Sequence, residues 1–580
     1  MRRFRCLTLS DFNVATFEAY LANDPSAPEV EAVETAFGQV ESVLANPDAS
    51  EWAREPDFAV IWTRPEGVIP GFRRLLEGES VKIGEMMREV DEYIERVAGV
   101  VDRVRFVFVP TWTLPANRSS FASLEMEPGQ GAYATLLRMN LRLVERLGEI
   151  SGLHVLNGEA WMRSSRPYSP KLWYLSKTPF ASEVFRRAML TIKAALRGIS
   201  GESRKLIVLD LDNTLWGGIV GEVGWERLEL GGHDPIGESF VDFQRALKAL
   251  TRRGMLLGIV SKNEETVALD AIRSHPEMVL RLDDFAGWKI DWQDKAQNLA
   301  DLVRELNLGL QSVVFLDDNP AERARVAEAL PEVLVPDWPA DRLLYRQALE
   351  DLDCFDNPVM TDEDRERTTL YAVERHRQTV RGRVDSLEEW LETLETTVVV
   401  EPLTAANLAR ATQLLNKTNQ MNLSTRRMSD AELMRWAEAE NHAVWTFRVA
   451  DRFGDAGLTG LVGFEGAPEW GRIVDFVLSC RIFGRKVEET MLAVAVRHAR
   501  GLGLPEVRLE YLPTARNRPC LDFLRRSGLS ETDVDEDEGM TFRWLCDSAY
   551  PFPPQIRFFN GVDRDPEADA GWVRFARNIR

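Results

Sequence analysis

Two aspartates one residue apart, Asp210 and Asp212, close an apolar run in the stretch VLDLDNTLWGGIVGE. In an open parallel sheet, functional groups collect beyond the carboxyl ends of the strands, where the loops converge on a crevice. Residues two apart in an extended segment share a face, so both carboxylates can be aimed at one reacting group. The Asn213–Thr214 dipeptide behind them turns the chain and offers amides and the Thr214 hydroxyl to an anion. Other apolar runs end in complementary groups. Ser261 closes LLGIVS with a hydroxyl for a phosphoryl oxygen, and Lys262 and Asn263 follow it as further phosphate contacts. Lys295 in GWKIDWQDKAQNL offers a cation, with Lys289 as competitor. Asp317 and Asp318 in VVFLDDNP supply carboxylates suited to Mg²⁺, a hard ion that prefers oxygen. Together these are an attacking group, an acid/base, phosphate clamps and a metal site drawn from Asp210, Asp212, Asp317 and Asp318. The chemistry they suit is phosphate ester hydrolysis through an aspartyl phosphate. In it Asp210 attacks phosphorus, and Asp212 protonates the leaving oxygen and then activates water.

DLDNTLWGGIVGE, IVSKNEE, WKIDWQDKAQNL and VFLDDNPAERARV, within residues 205–335, resemble the haloacid dehalogenase superfamily of aspartate-nucleophile phosphotransferases. Within it they look like the FkbH-like branch of subfamily IIIC. That resemblance implies a Mg²⁺-dependent phosphatase that loads glyceryl units from 1,3-bisphosphoglycerate onto an acyl carrier protein, with loss of phosphate. The short chain between Asp210 and Ser261, and again between Ser261 and Lys295, leaves no room for a large cap domain. An uncapped crevice admits something as bulky as a phosphopantetheine arm.

Two stretches near the other end of the chain carry acyl-handling signals. LSCRIFGRKVEET reads as a strand, a turn at Gly484 and a helix, so the turn amides would face an anion, with Arg481, Arg485 and Lys486 adding positive charge. It resembles the pyrophosphate turn of GNAT acyltransferases, and EYLPTARNRPCLDFLRRSGL resembles their later Asn-containing segment; Lys486 departs from the pattern where a small residue belongs. Cys480 lies directly before Arg481, and positive charge favours the nucleophilic thiolate. It is either the carrier of an acyl thioester or a buried strand cysteine. In QLLNKTNQMNLSTRR, the residues Lys417, Asn419, Arg426 and Arg427 suit the phosphate end of an acyl donor or the phosphopantetheine phosphate. The plainer reading of that group is a solvated helix end.

These residues need α/β scaffolds to hold them. Residues 1–200 alternate β-rich runs (FRCLTL, DFAVIW, VRFVFVP, LHVLN) with long amphipathic segments, the pattern of a parallel α/β layer. The opening LTLSDFN resembles an SGNH-like module, but Phe12 stands where its serine nucleophile is expected, which leaves Asp11 and Asn13 to cap the next helix. A Rossmann-like α/β region without a cap follows over residues 201–350, then a charged helical linker over 351–397, a GNAT-like α+β region over 398–546 and a proline-punctuated tail over 547–580. A chain of 580 residues exceeds the growth limit of one core.

Net charge is −21, so nucleic acid is not an expected partner. No apolar run approaches the ~18 residues of a membrane span, which predicts a cytoplasmic protein. Five cysteines lie far apart without a CxxC pair, arguing against a disulfide framework or zinc knuckle. The expected partners are a small phosphorylated acyl donor and an acyl carrier protein. Two rival readings remain: an acyltransferase that modifies an amino sugar of a surface polysaccharide, and a carrier-protein-binding scaffold without catalysis.

Overall fold

The computed structural model describes residues 3–561 except 34–37, 47, 116–121, 165, 359–370, 372–376, 378–385, 515 and 536–538. Two compact units divide the chain: residues 1–197 with 428–432, and residues 198–427 with 433–580. The architecture is the expected multidomain α/β class, with two parallel sheets and one mixed sheet among the described residues. Among the described residues no helix is long and apolar enough to cross a membrane.

In the first unit, β1 (Phe4–Leu9), β2 (Val30–Val33), β3 (Phe58–Ile61), β4 (Phe106–Pro110) and β5 (Leu153–Leu156) form one parallel sheet in the order β2-β1-β3-β4-β5. Helix α1 (Ile83–Ala98) buries Met86, Val90, Tyr93, Ile94 and Val97, and α2 (Ala132–Leu147) buries Leu136, Met139, Leu143 and Leu147. That three-to-four spacing gives each helix one apolar stripe against the sheet. Phe12 is fully buried, packed edge-on against Trp62 and Phe180 with ring centroids 5.5 and 5.4 Å away. Asn13 is not the cap residue of the helix Ala15–Asn23, which is Val14, although Asn13 Oδ1 accepts from the Ala15 amide at 2.9 Å. Nor does Asp11 cap it: its carboxylate accepts from the backbone N–H and Nε of Arg64, at 2.8 and 3.0 Å, tying the end of β1 to the segment after β3.

In the second unit, β6 (Leu206–Leu209), α3 (Pro235–Thr251), β7 (Leu256–Ser261), α4 (Glu265–Ser274), β8 (Phe285–Ile290), α5 (Lys295–Glu305), β9 (Val313–Leu316) and α6 (Pro320–Ala329) alternate along the chain. The sheet is parallel, in the order β8-β7-β6-β9. β6 reads as an unbroken apolar run because both of its faces are covered. Ile207 and Leu209 join the cluster of Phe240, Phe243 and Leu247 from α3, and Leu206 and Val208 join that of Leu299, Leu302 and Val303 from α5.

The same unit continues with β10 (Thr397–Pro402), α7 (Ala405–Lys417), β11 (Met421–Asn422), β12 (His442–Asp451), β13 (Gly454–Gly466), β14 (Gly471–Leu478), α8 (Val487–Gly501), β15 (Glu506–Tyr511), α9 (Arg518–Arg526), β16 (Ser530–Asp535), β17 (Gly539–Leu545) and β18 (Arg557–Asn560). The mixed sheet runs β16-β17-β15-β14-β13-β12-β10-β18, with β11 added at β14. One expectation is corrected here. Part of the expected tail is a strand, since Arg557–Asn560 pairs in parallel with Thr397–Val400. The acidic Ser530–Asp535 pairs as β16 with β17 inside the region. Much of the expected linker over 351–397 falls outside the described residues; its described part contains the helix Leu387–Leu394.

The aromatic cluster around Phe12 generates a stability prediction. Phe12→Ala is expected to destabilise the first unit by about 3–5 kcal/mol, the usual range for emptying a buried aromatic site. Thermal unfolding measures it, and a loss below about 1 kcal/mol would contradict the packing.

Candidate active site

Asp210 directly follows β6 and Asp317 directly follows β9, two strands whose register pairs Leu209 with Leu316. The Asp210 amide continues that ladder to the Leu316 carbonyl at 3.0 Å, which brings the two aspartates side by side. Asp294 caps α5, its side chain accepting from the Gln297 amide at 3.1 Å, so Lys295 becomes the first helical residue at the same end of the sheet. Its Nζ stands 2.9 Å from Asp210 Oδ1 and 2.6 Å from Asp317 Oδ2. Lys289, the competitor, gives its ammonium to Glu305 at 2.6 Å and stands outside this cluster.

Asp210, Asp317 and Asp318 each offer an oxygen within 4.8 Å of the others. Burial, then the charge on Asp210, pushes both Asp317 and Asp318 above the ordinary carboxylate range. Burial opposes the charge on Lys295, but the Asp210 and Asp317 carboxylates outweigh it and raise its pKa. Three carboxylates against one ammonium leave two formal negative charges, and an all-oxygen donor set with that surplus fits a hard divalent cation.

The Asp212 side chain is not part of this three-carboxylate group. The chain has left β6 and turns at Asn213, whose φ is +59°. Asp212 Oδ1 accepts from Trp216 Nε1 at 2.8 Å and the Val220 amide at 3.1 Å, and its Oδ2 accepts from Asn263 Nδ2 at 2.8 Å. Burial nevertheless raises its pKa, the direction that suits an acid/base. Gly218, at φ +97°, closes this loop and donates its amide to Asn213 Oδ1 at 3.1 Å.

The expected phosphate contacts divide. Ser261 ends β7 at the same end of the sheet and is buried. Thr214 is fully buried, and its hydroxyl accepts from the Asp318 amide at 3.1 Å, so it joins the β6 and β9 loops instead of facing a ligand. Asn263 positions Asp212, and Lys262 pairs with Glu322 at 2.6 Å. Two residues that the sequence did not single out complete the frame. Arg323 Nη1 donates to the carbonyls of Asp317 and Asp318, at 2.7 and 2.8 Å, and Arg342 Nη2 to Asn213 Oδ1 at 2.9 Å. Arg323 lies inside the VFLDDNPAERARV stretch, and Arg342 lies beyond it. Trp216 lies inside the aspartate stretch, and that was its one signal.

Most of the basic residues expected to bind anions in the later region have internal partners. Arg426 pairs with buried Asp475 and lies over the Trp436 ring at 4.5 Å. Arg427 donates to the Leu415 carbonyl at 2.6 Å and to Asn419 Oδ1, closing the end of α7, and burial lowers its pKa to about 10. Arg485 is buried against Asp451 at 3.2 Å, where Arg377 also pairs at 2.8 Å. The Gly484 amide, at φ +73°, is taken by Glu488 Oε1 at 2.8 Å, so a carboxyl of α8 fills the turn expected to hold an anion. Arg481 Nη2 donates to the Ala456 carbonyl at 2.8 Å. Cys480 follows β14, half-buried, with the Tyr371 hydroxyl 3.8 Å from its Sγ. Lys417, Asn419, Cys480 and Arg481 line one cavity of about 110 Å³.

No protein-family model and no curated protein matches the chain. Among solved structures, the chain is similar to the N-terminal part of the protein BF1531 from Bacteroides fragilis, containing a phosphatase domain complexed with Mg. Identity is 27%, with 62% of this chain and 96% of that one covered at a TM-score of 0.56. A mutant of the spermidine N-acetyltransferase SpeG from Vibrio cholerae is 16% identical over 26% of this chain and 94% of its own, at a TM-score of 0.21. The IAA acetyltransferase from Bacillus cereus is 11% identical over 26% and 99%, at 0.20. Those two scores carry no argument about fold or function.

Two outcomes test the internal roles of these charges. Arg426→Met strands the Asp475 carboxyl and should destabilise the unit by about 3–5 kcal/mol in urea unfolding, whereas Arg426→Met with Asp475→Leu should recover most of it; a single variant within about 0.5 kcal/mol of the parent would contradict the pair. Burial pushes Glu488 from 4.5 up to about 7. Between those values the folded protein holds a proton that the unfolded chain releases, so stability falls as pH rises through that window. Glu488→Gln keeps an acceptor for Gly484 and should flatten the fall, read as Tm at pH values on either side; parallel curves would contradict it.

Proposed function

We propose that this chain is a Mg²⁺-dependent phosphatase of the haloacid dehalogenase type, coupled to acyl transfer. The observation that carries the reading is the juxtaposition of Asp210, Lys295, Asp317 and Asp318 at the carboxyl ends of adjacent strands. The likeness to a phosphatase domain complexed with Mg supports it. Asp210, Asp317 and Asp318 would hold the ion, which when bound neutralises an approaching phosphate dianion.

Asp210 Oδ attacks phosphorus, forming an aspartyl phosphate as the bond from phosphorus to the leaving oxygen breaks. Asp212 gives that oxygen its proton. Asp212 then takes a proton from water, whose oxygen attacks phosphorus, frees inorganic phosphate and restores Asp210. Lys295 holds Asp210 in line and balances its charge. Asn263, Trp216 and the Val220 amide fix the Asp212 carboxyl through three hydrogen bonds.

The finer reading follows the FkbH-like resemblance. Cys480 takes a glyceryl or related hydroxyacyl group from 1,3-bisphosphoglycerate: its thiolate attacks the acyl carbon, and the phosphate on that carbon leaves. The thiol of an acyl carrier protein then attacks the thioester and releases Cys480. The half-buried thiol in a cavity favours this over a purely structural cysteine. β14 supports it too, since it pairs with β15 only over Gly471–Ile473 and then diverges ahead of Cys480.

Asp210→Asn should lower Mg²⁺-dependent phosphate release by at least about a thousandfold, and Asn263→Ala by a smaller factor through a misplaced Asp212. Phosphate assay with and without chelator reads both, and Asp210→Asn at parental rate would end the phosphatase reading. Intact mass of a carrier protein reads the second step: Cys480→Ser should abolish acyl loading, and full loading by that variant would remove the thioester.

A further inference from the structure

The first unit carries a cavity that the proposed reactions do not use. In its sheet β1 lies between β2 and β3, so the chain builds outward from β1 first on one side and then on the other. Parallel α/β sheets bind ligands at such a reversal, beyond the carboxyl ends of the strands. The cavity, of about 290 Å³, is lined by Arg64 and Glu66 shortly after β3, by Thr113 and Pro115 shortly after β4, and by Trp173 of the helix Pro170–Ser176. Asp11, shortly after β1, is joined to it through Arg64.

Most of the wall is made of rings. Tyr168, Trp173, Phe180 and four prolines line it, the apolar composition with a few polar groups that small-molecule cavities show. The Tyr168 hydroxyl is tied to the Leu114 carbonyl, which leaves the ring as its contribution. Phe180 packs edge-on against Phe12 with centroids 5.4 Å apart, so the position where a serine nucleophile was expected is filled by apolar carbon.

The polar lining selects the head of a ligand. Arg64 gives Nε and Nη2 to Asp11, at 3.0 and 2.9 Å, and Nη1 to Glu66 Oε1 at 3.2 Å. Arg73 Nε donates to the Glu66 carbonyl at 2.8 Å. One guanidinium thus serves two carboxylates, and Glu66 Oε2 is buried without a hydrogen-bond partner among the described residues. A shielded carboxylate oxygen in that state is stabilised by any donor brought to it. Burial raises the pKa of both Asp11 and Glu66, the same shortage of donors expressed as proton affinity. Trp173 points the same way, since Arg64 lies over its ring at 4.1 Å and Lys177 Nζ at 5.1 Å, and an electron-rich ring face attracts cations and disfavours anions.

We infer that this cavity binds a small ligand with a ring for its body and a hydrogen-bond donor for its head, an ammonium or a hydroxyl, and that it rejects carboxylates and phosphates. The ring packs among Tyr168, Trp173 and Phe180, and the head supplies the donor that Glu66 lacks. No bond is made or broken. The first unit is then a recognition module, and this inference stands apart from the phosphatase reading.

Three probes with one benzyl body and different heads test it: 2-phenylethylamine, 2-phenylethanol and phenylacetate. Each is titrated into the full chain to about 10 mM, the range of weak fragment-sized ligands, and followed by ligand-observed NMR. The amine or the alcohol should bind at least about tenfold more tightly than the carboxylate, and the tighter of the two identifies the head. Glu66→Gln should weaken that probe about tenfold, the loss expected for a hydrogen bond to a charged group. Trp173→Ala should weaken the amine and the alcohol by similar factors, and Asp210→Asn should change neither. A Tm measurement on each variant shows that it is folded, and if Glu66→Gln is not, Trp173→Ala carries the test. Phenylacetate binding as tightly as the donor probes, no binding by either donor probe, parental affinity in the folded variants, or altered affinity in Asp210→Asn would each overturn the site.

Discussion

Burying several carboxylates within a few ångströms of one another is unfavourable unless cations share the space. The organisation of the phosphatase-like region follows from meeting that constraint at the ends of β6 and β9. Asp210 and Asp317 are fixed by the backbone ladder between the two strands. Lys295 is fixed by a capped helix that starts at the same end of the sheet. The ammonium balances part of the acidic charge, and the remainder is what a divalent ion or the positive side of a reaction centre would satisfy. Apolar packing on both faces of β6 holds the backbone that makes this arrangement rigid.

The later region solves the opposite problem. Its arginines look available in the sequence, yet Arg426 and Arg485 are matched to the buried acids Asp475 and Asp451. Glu488 fills the Gly484 turn from within. The basic residues of this region therefore serve its internal charge balance, and the glycine turn contributes no open site.

The aspartate cluster was legible because strand ends announce themselves: an apolar run followed at once by Asp, Ser or Asp-Asp gives both the strand and its functional end. Choosing Lys295 over Lys289 needed coordinates, since the two differ by which end of the β8–α5 connection they occupy. The orientation of Asp212 was hidden for a similar reason, because the two-residue alternation fails once the chain leaves β6 and turns at Asn213. β2 (VEAV) and β18 (RFFN) lack the unbroken apolar run that marks β6 and β9, strands of the same four-residue length. Arg426, Arg427 and Arg485 misled because the partners that neutralise Arg426 and Arg485 lie 49 and 34 positions away, and Arg427 closes a helix end, which composition does not reveal.

The central claim is that Asp210 becomes covalently phosphorylated. Quenching the enzyme during turnover of a phosphate ester in Mg²⁺, then reducing with borohydride, converts an aspartyl phosphate to homoserine that peptide mass spectrometry locates. The account predicts homoserine at position 210. Homoserine at another carboxylate, or rapid phosphate release with no trapped residue, would contradict it.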